Sequence, residues 1–211
     1  MVHPGYPVAH CFVVLGLALH TQLGHHVQGI AHEDWRYTKY RNRHPFVFHL
    51  INFFGLNMMP TLVVFAAMLP GLKLFECPFN IQHSAFNIII LCLGFIVCLA
   101  SATIQLIADK QSHDFRAANP GKVCNVGLWK HGRHPNYFGE IQFWWGIWIM
   151  YASLNGIDMY IGGAIAMTAL FLGISIPLME KRQLANNAPR LNNHRSLGWM
   201  LSNKVSCARL F

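Results

Sequence analysis

Residues Ala85 to Ala108 read AFNIIILCLGFIVCLASATIQLIA, 24 positions without an Asp, Glu, Lys, Arg or His. A helix that crosses the hydrocarbon core of a bilayer needs about 20 mostly apolar residues, and few soluble domains bury so long a run. Working outward, three more stretches have the same character: Phe46 to Leu69, Phe138 to Leu154 with Glu140 near its start, and Ile157 to Met179 after Asp158. A fifth and shorter one, Val8 to Leu23, carries His10 and His20. The turn pair Asn155-Gly156 makes the last two stretches a helical hairpin. The composition agrees, because 54% of the 211 residues are hydrophobic and 11% charged, against about 25% charged in a soluble domain. So little charge could not cover a water-facing surface, which disfavours disorder, coiled coil and an ordinary soluble enzyme. The predicted fold is an all-α polytopic transmembrane helical bundle of five spans, in one domain over residues 1–211.

The net charge of +8 would suggest nucleic acid in another chain. Here the charge follows topology. Arg36, Lys39, Arg41 and Arg43 fall between spans one and two, and Lys110, Arg116, Lys122, Lys130 and Arg133 between three and four. The tail over 180–211 carries Lys181, Arg182, Arg190, Arg195, Lys204 and Arg209, so 15 of the 16 basic residues share one side and Lys73 stands opposite. That is the bias that orients membrane helices, with the three basic segments cytosolic. No Lys or Arg precedes Arg36, and no A-x-A site follows the first apolar run, so no clean signal peptide is expected. The six cysteines form no C-x-x-C, which argues against a zinc ribbon or a disulfide framework.

Chemistry concentrates between Ile104 and Glu140. Gln105, Asp109 and Arg116 are four and seven residues apart, which puts them within about 40° of one helical face. The same spacing also suits a solvated helix end at the interface. Downstream, Asn119-Pro120-Gly121-Lys122 is a turn signal. It leads into GLWKHGRHPNYFGE over 127–140. Pro135 can start a helix, and the open N–H groups there, with Lys130 and Arg133, suit an anion. Asn136 offers the donor and acceptor that a carboxamide needs. Glu140 lies one turn into a span, where a carboxylate is costly without a partner or ligand. Taken singly these residues also fit an interfacial belt of Trp129 and Tyr137 with snorkelling Arg133 and Lys130.

Gly127-Leu128-Trp129 followed by Arg133-His134-Pro135-Asn136-Tyr137-Phe138-Gly139-Glu140 resembles the C-terminal domain of the steroid 5-alpha-reductase superfamily, closest to its uncharacterised reductase-like branch. The resemblance runs over about residues 30 to 185 and takes in Glu33-Asp34-Trp35-Arg36-Tyr37, Asp109, Arg116 and Pro177-Leu178-Met179-Glu180-Lys181-Arg182. It implies a sterol-reductase-like membrane enzyme that uses NADPH to reduce a C=C bond conjugated to a carbonyl in a steroid-like or other lipidic substrate. By position it implies a cofactor site of Gln105, Asp109, Arg116, Asn136 and Glu140, in which Gln105 replaces an Asn of the steroid reductases. His134 and Tyr137 belong to the same string, and Lys122, Arg133 and Arg182 are its phosphate partners. The hydride comes from the nicotinamide, so the protein must position the ring and polarise the carbonyl with an acid. The family's front-end tyrosine has no match, and Glu33 and Tyr37 are the nearest residues to that role. The front is shorter than the family's, which implies a reduced substrate cavity or a shortened chain. The family's Pro-x-Tyr-x-x-Tyr is here Pro189-Arg190-Leu191-Asn192-Asn193-His194, without either tyrosine. Endoplasmic reticulum is the expected membrane for a eukaryotic version.

Three other readings stand beside this one. Isoprenylcysteine carboxyl methyltransferases share an Arg-His-Pro-x-Tyr string and an acidic residue after the last span, where Glu180 stands, and bind S-adenosylmethionine. A di-iron oxygenase needs about eight His at helix ends, whereas most of these thirteen are scattered. A non-catalytic member of the reductase fold would keep the helices without tight NADPH binding. Trp144, Trp145 and Trp148 read as packing on one stripe, and Gly162, Gly163 and Gly173 as small residues that let helices approach closely.

Overall fold

The structure is a computed structural model that describes residues 44–76, 84–120 and 122–182, together with His10, Val13, Tyr37, Tyr40 and Arg41. Most of the expected span Val8 to Leu23, Glu33 and the tail beyond Arg182 lie outside the described residues. Four long helices make up most of the described residues, which contain no strand. They are α1 (Pro45–Glu76), α2 (Ala85–Ala118), α3 (Pro135–Asn155) and α4 (Ile161–Arg182), with a single 3-10 turn at Gly127–Lys130 before α3. Helices α1, α2 and α4 are long and apolar enough to cross a membrane, and the chain is accordingly an all-α membrane bundle. The 21 residues of α3 span about 31 Å, close to the roughly 30 Å of a hydrocarbon core. Its Asn136, Gln142, Glu140 and tyrosines leave it without a run as apolar as those in the other three.

The four apolar runs that fall among the described residues are all helical, and α1 and α2 run furthest beyond them. α1 continues past Leu69 to Glu76, and α2 past Ala108 to Ala118. An apolar run marks where lipid stops, whereas a helix stops where its backbone hydrogen bonds do, and charged residues continue it readily in water. At 34 residues α2 is about 51 Å long, so roughly 20 Å of it rises beyond the hydrocarbon. Ser84 caps its start by accepting a hydrogen bond from the Phe86 amide at 3.3 Å.

Helix α3 is the centre of the bundle. Phe143, Trp144, Ile147, Met150 and Tyr151 are buried against Leu91 and Cys98 of α2, Ala67 and Leu74 of α1 and Met167 of α4. Glycines set how close the helices come. A Cβ on Gly94 would lie 2.9 Å from the Gly146 carbonyl, and one on Gly146 would lie 3.0 Å from the Gly94 carbonyl. Such reciprocal contact brings the two backbones together, the packing expected where lipid gives helices no hydrophobic reason to associate. α1 and α4 meet in another way. Pro70 has no N–H for the Ala66 carbonyl one turn earlier, and that oxygen lies 2.5 Å from where a Gly163 Cβ would be. Gly163 therefore does allow a close approach, whereas Gly162 and Gly173 have nothing within 4 Å and do not. Their expected role as contact glycines is corrected among the described residues, where both are exposed and face away from the neighbouring helices.

Gly156, at φ 80°, ends α3 and turns the chain into α4, as its place in the Asn155-Gly156 pair predicts. The helices alternate in direction, so Lys110, Arg116, Lys122, Lys130, Arg133, Lys181 and Arg182 gather at one end of the bundle and Lys73 lies at the other. That division matches the charge bias of the sequence. In α1, residues Ile51–Met58 form a π-helical segment. There the Asn57 amide donates to the Asn52 carbonyl at 2.7 Å and accepts from the Tyr37 hydroxyl at 3.3 Å.

Candidate functional site

The basic end of the bundle is where α2 leaves the membrane and α3 enters it. Gln105 is only 7% exposed and packs on Gly139, whose Cβ, if it had one, would lie 2.7 Å from the Gln105 Cγ. One turn further along α2, Asp109 accepts a hydrogen bond from the Asn136 amide at 3.2 Å. The other polar atom of Asn136, Oδ1, is shut off from solvent and has no hydrogen-bond partner among the described residues. A buried acceptor left unmet costs roughly 1–3 kcal/mol, so it marks a place where a donor is expected.

Glu140 stands one turn below Asn136 on α3, and the Trp144 indole donates to its Oε1 at 3.0 Å. Asp109 is near enough for the two carboxylates to interact through their charges. Trp144 is thus more than the packing residue its stripe suggests, because its ring is buried while its N–H holds a carboxylate. Trp145 likewise donates to Thr168 Oγ1 at 3.0 Å.

Two contacts fix the loop that leads into α3. The Gln111 side chain accepts the Leu128 amide at 2.8 Å, and the Trp129 indole donates to the Ala108 carbonyl at 2.7 Å. Trp129 therefore clips the loop to α2 instead of joining an aromatic belt. Gly127, at φ 55°, lies directly against the Gln111 amide, where no Cβ would fit.

Pro135 opens α3 at its first turn, as predicted, with His134 before it. His134 is buried, stacks on Tyr137 at 5.4 Å and 15°, and approaches Glu180 of α4 at 3.7 Å. Arg133 donates to the same Glu180 oxygen at 3.2 Å. Tyr137 also meets Phe171 at 5.1 Å, so the start of α3 and the end of α4 are joined by both charge and aromatic contact.

Gln105, Asp109, Asn136 and Glu140 are thus brought together, with Arg133, His134 and Tyr137 one turn earlier. The remaining basic candidates lie apart from them. Arg116 is two turns beyond Asp109 on α2, and its Nε donates to Ser112 Oγ at 3.1 Å. Lys122 is exposed beside Asn119, and Arg182 is exposed at the end of α4. Sequence reasoning missed the Glu140–Trp144 bond, for which the four-residue spacing was an available signal. It also missed the Gln111 and Trp129 anchors, which close a loop whose geometry no local pattern encodes. Among the described residues, no three His, Cys, Asp or Glu side chains gather as a metal ion would require.

No curated protein and no solved structure matches the chain. A family model described as protein of unknown function (DUF1295) matches residues 6–195, nearly the whole length and every residue of this site, and the chain belongs to that family.

Proposed function

We propose that the chain is an integral-membrane, NADPH-dependent reductase of a C=C bond conjugated to a carbonyl in a lipidic substrate. One observation carries this reading: the unmet, buried Oδ1 of Asn136, set among Gln105, Asp109 and Glu140. A nicotinamide carboxamide has the N–H donors that Oδ1 lacks, and the flanking side chains can complete its recognition. The fit of the residues to the group is thus good at the carboxamide end. NADPH, when bound, would supply the hydride. Asp109 holds the Asn136 amide in register, and Trp144 does the same for the Glu140 carboxylate. Arg133 borders the site, and Arg116, Lys122 and Arg182 share its end of the bundle and would be the phosphate partners. The resemblance of residues 127–140 to the steroid 5-alpha-reductase superfamily supports the same reaction class, with the endoplasmic reticulum as its membrane in a eukaryote.

A second reading, methyl transfer from S-adenosylmethionine, is favoured by one contact: Glu180, acidic at the end of the last span, meets both Arg133 and His134. The two readings part in a titration of the detergent-purified chain with NADPH and S-adenosylmethionine in parallel. The reductase reading expects saturable NADPH binding that Asn136→Ala or Glu140→Ala abolishes while expression and membrane insertion persist. Unchanged NADPH affinity in either variant refutes the site. Binding of S-adenosylmethionine alone transfers the case to methyl transfer, and binding of neither identifies a non-catalytic member of the fold.

A further inference from the structure

Helix α1 places two asparagines, Asn52 and Asn57, inside the apolar run that crosses the membrane, and neither is buried. Over residues 45–66 of this helix no side chain is buried, whereas Ala67, Pro70, Gly71 and Leu74 further along pack into the bundle. An amide that faces hydrocarbon is costly unless its donors and acceptors are met. Here they are met only in part. The Asn57 amide donates to the Asn52 carbonyl and to Asn52 Oδ1, both at 2.7 Å, and Asn57 Oδ1 accepts from the Tyr37 hydroxyl at 3.3 Å. Left over among the described residues are the N–H groups of Asn52 and the second lone pair of Asn57 Oδ1. The same stretch, Ile51–Met58, is π-helical, a rare backbone form that concentrates at functional sites.

Contacts between the helices set the depth of this pair. The Ala66 carbonyl of α1 lies against Gly163 of α4, and Thr168, five positions nearer the basic end, accepts from Trp145 of α3. Counting the same rise back along α1 and α3 brings Asn57 level, within about one turn, with Glu140. We propose that Asn52 and Asn57 form a subsite, at the depth of Glu140 in the membrane, for the hydroxyl group of an apolar ligand. A hydroxyl has one proton to give and lone pairs to receive, so it meets both leftover groups at once. Asn52 donates to its oxygen, and its own proton goes to Asn57 Oδ1. A ketone or an ether fills only the first of these, and a charged headgroup is too costly so far from water. The exposed side chains of Phe53, Phe54, Leu62 and Phe65 offer apolar surface to the body of such a ligand. Nothing in this arrangement requires NADPH, and the inference stands apart from the reductase reading.

The probe is hexadecanol with a photoactivatable diazirine in mid-chain, added to the full chain in phosphatidylcholine nanodiscs and mapped by mass spectrometry after irradiation. Labelling should fall on residues 45–66. Plain hexadecanol should displace it about three- to tenfold more effectively than its methyl ether, the difference that one neutral hydrogen bond makes. Asn52→Leu and Asn57→Leu should each remove that preference. Thr61→Val, one turn beyond Asn57, should retain it, because the Thr61 hydroxyl proton is already given to the Asn57 carbonyl at 2.7 Å. Equal displacement by alcohol and ether in the unsubstituted chain overturns the proposal without recourse to any variant. A preference that survives both leucine substitutions does the same. A chain that is dimeric in nanodiscs and becomes monomeric on Asn57→Leu, with labelling unmoved, assigns this face to a second copy and also overturns it. The NADPH titration reads Asn136 and Glu140 instead, so its failure leaves the alcohol preference standing, and loss of that preference leaves the titration standing.

Discussion

Gly139→Ala tests the packing of the site with a single methyl group. The new Cβ would lie 2.7 Å from Gln105 Cγ and 2.8 Å from the Ser101 carbonyl. The glutamine can rotate away, but the carbonyl belongs to the α2 backbone and can move only with its helix. Restoring an ordinary contact from 2.8 Å to 3.4 Å therefore parts α2 and α3 locally by about 0.6 Å. Overpacking of that kind costs about 1–3 kcal/mol, while alanine's better helix propensity returns about 1 kcal/mol. The strain exceeds that gain over most of its range, for a net loss of up to about 2 kcal/mol, or an apparent Tm lower by up to roughly 8 °C at this chain length. The same 0.6 Å would take the Asn136–Asp109 bond from 3.2 Å to about 3.8 Å, beyond hydrogen-bonding reach. Weaker NADPH binding should thus accompany the lower Tm. Gly132→Ala is the control, since nothing among the described residues lies within 4 Å of its Cβ position. Thermal melts of the three purified proteins in one detergent decide the matter. A Gly139→Ala protein that melts with the wild type, or a Gly132→Ala protein that loses as much, would show that the contact between α2 and α3 does not have the stiffness argued here.

Trp144→Phe should lower the apparent Tm by removing the N–H donor of Glu140, and Glu140→Gln in the same chain should recover part of the loss; strictly additive losses would mean the two side chains are not coupled. Gly163→Ala should destabilise more than Gly162→Ala, because its Cβ would lie 2.5 Å from the Ala66 carbonyl while that of Gly162 meets nothing, and equal melts would overturn this account of the α1–α4 contact.

The helices were legible in the sequence because lipid makes one demand on composition, and long uncharged runs such as Ala85 to Ala108 meet it openly. Their ends were less so, as the extra ten residues of α2 beyond Ala108 show, because hydropathy reports the bilayer and not the helix. At the site, the spacing of Gln105 and Asp109 and the string from Arg133 to Glu140 marked the residues that come together. What no spacing could express was which partner each would take across the chain. Arg133 finds Glu180 some 47 positions away, and Trp129 finds the Ala108 carbonyl 21 positions back. Contacts of that kind depend on how α3 sits among its neighbours, which a single line of sequence leaves implicit. The misread glycines follow the same rule. Gly162 and Gly163 are adjacent, and only the rotation of α4 decides which of them faces α1.

Helix α3 lies at the centre of the bundle and lacks the long apolar run that the other three contain. A lone segment with its glutamate, asparagines and glutamine would partition poorly from the translocon into lipid, since each polar side chain at depth adds to the cost. The Asn155-Gly156 turn joins it to the strongly apolar α4, so the two can enter as a pair, with α4 carrying its less willing neighbour. α2, synthesised earlier, is already in place to receive the polar face through Asp109 and the glycine contacts. Biogenesis of this protein is thereby tied to the assembly of its site: the segment that carries Asn136 and Glu140 becomes a stable resident of the membrane only when the partners of those side chains are there to meet it.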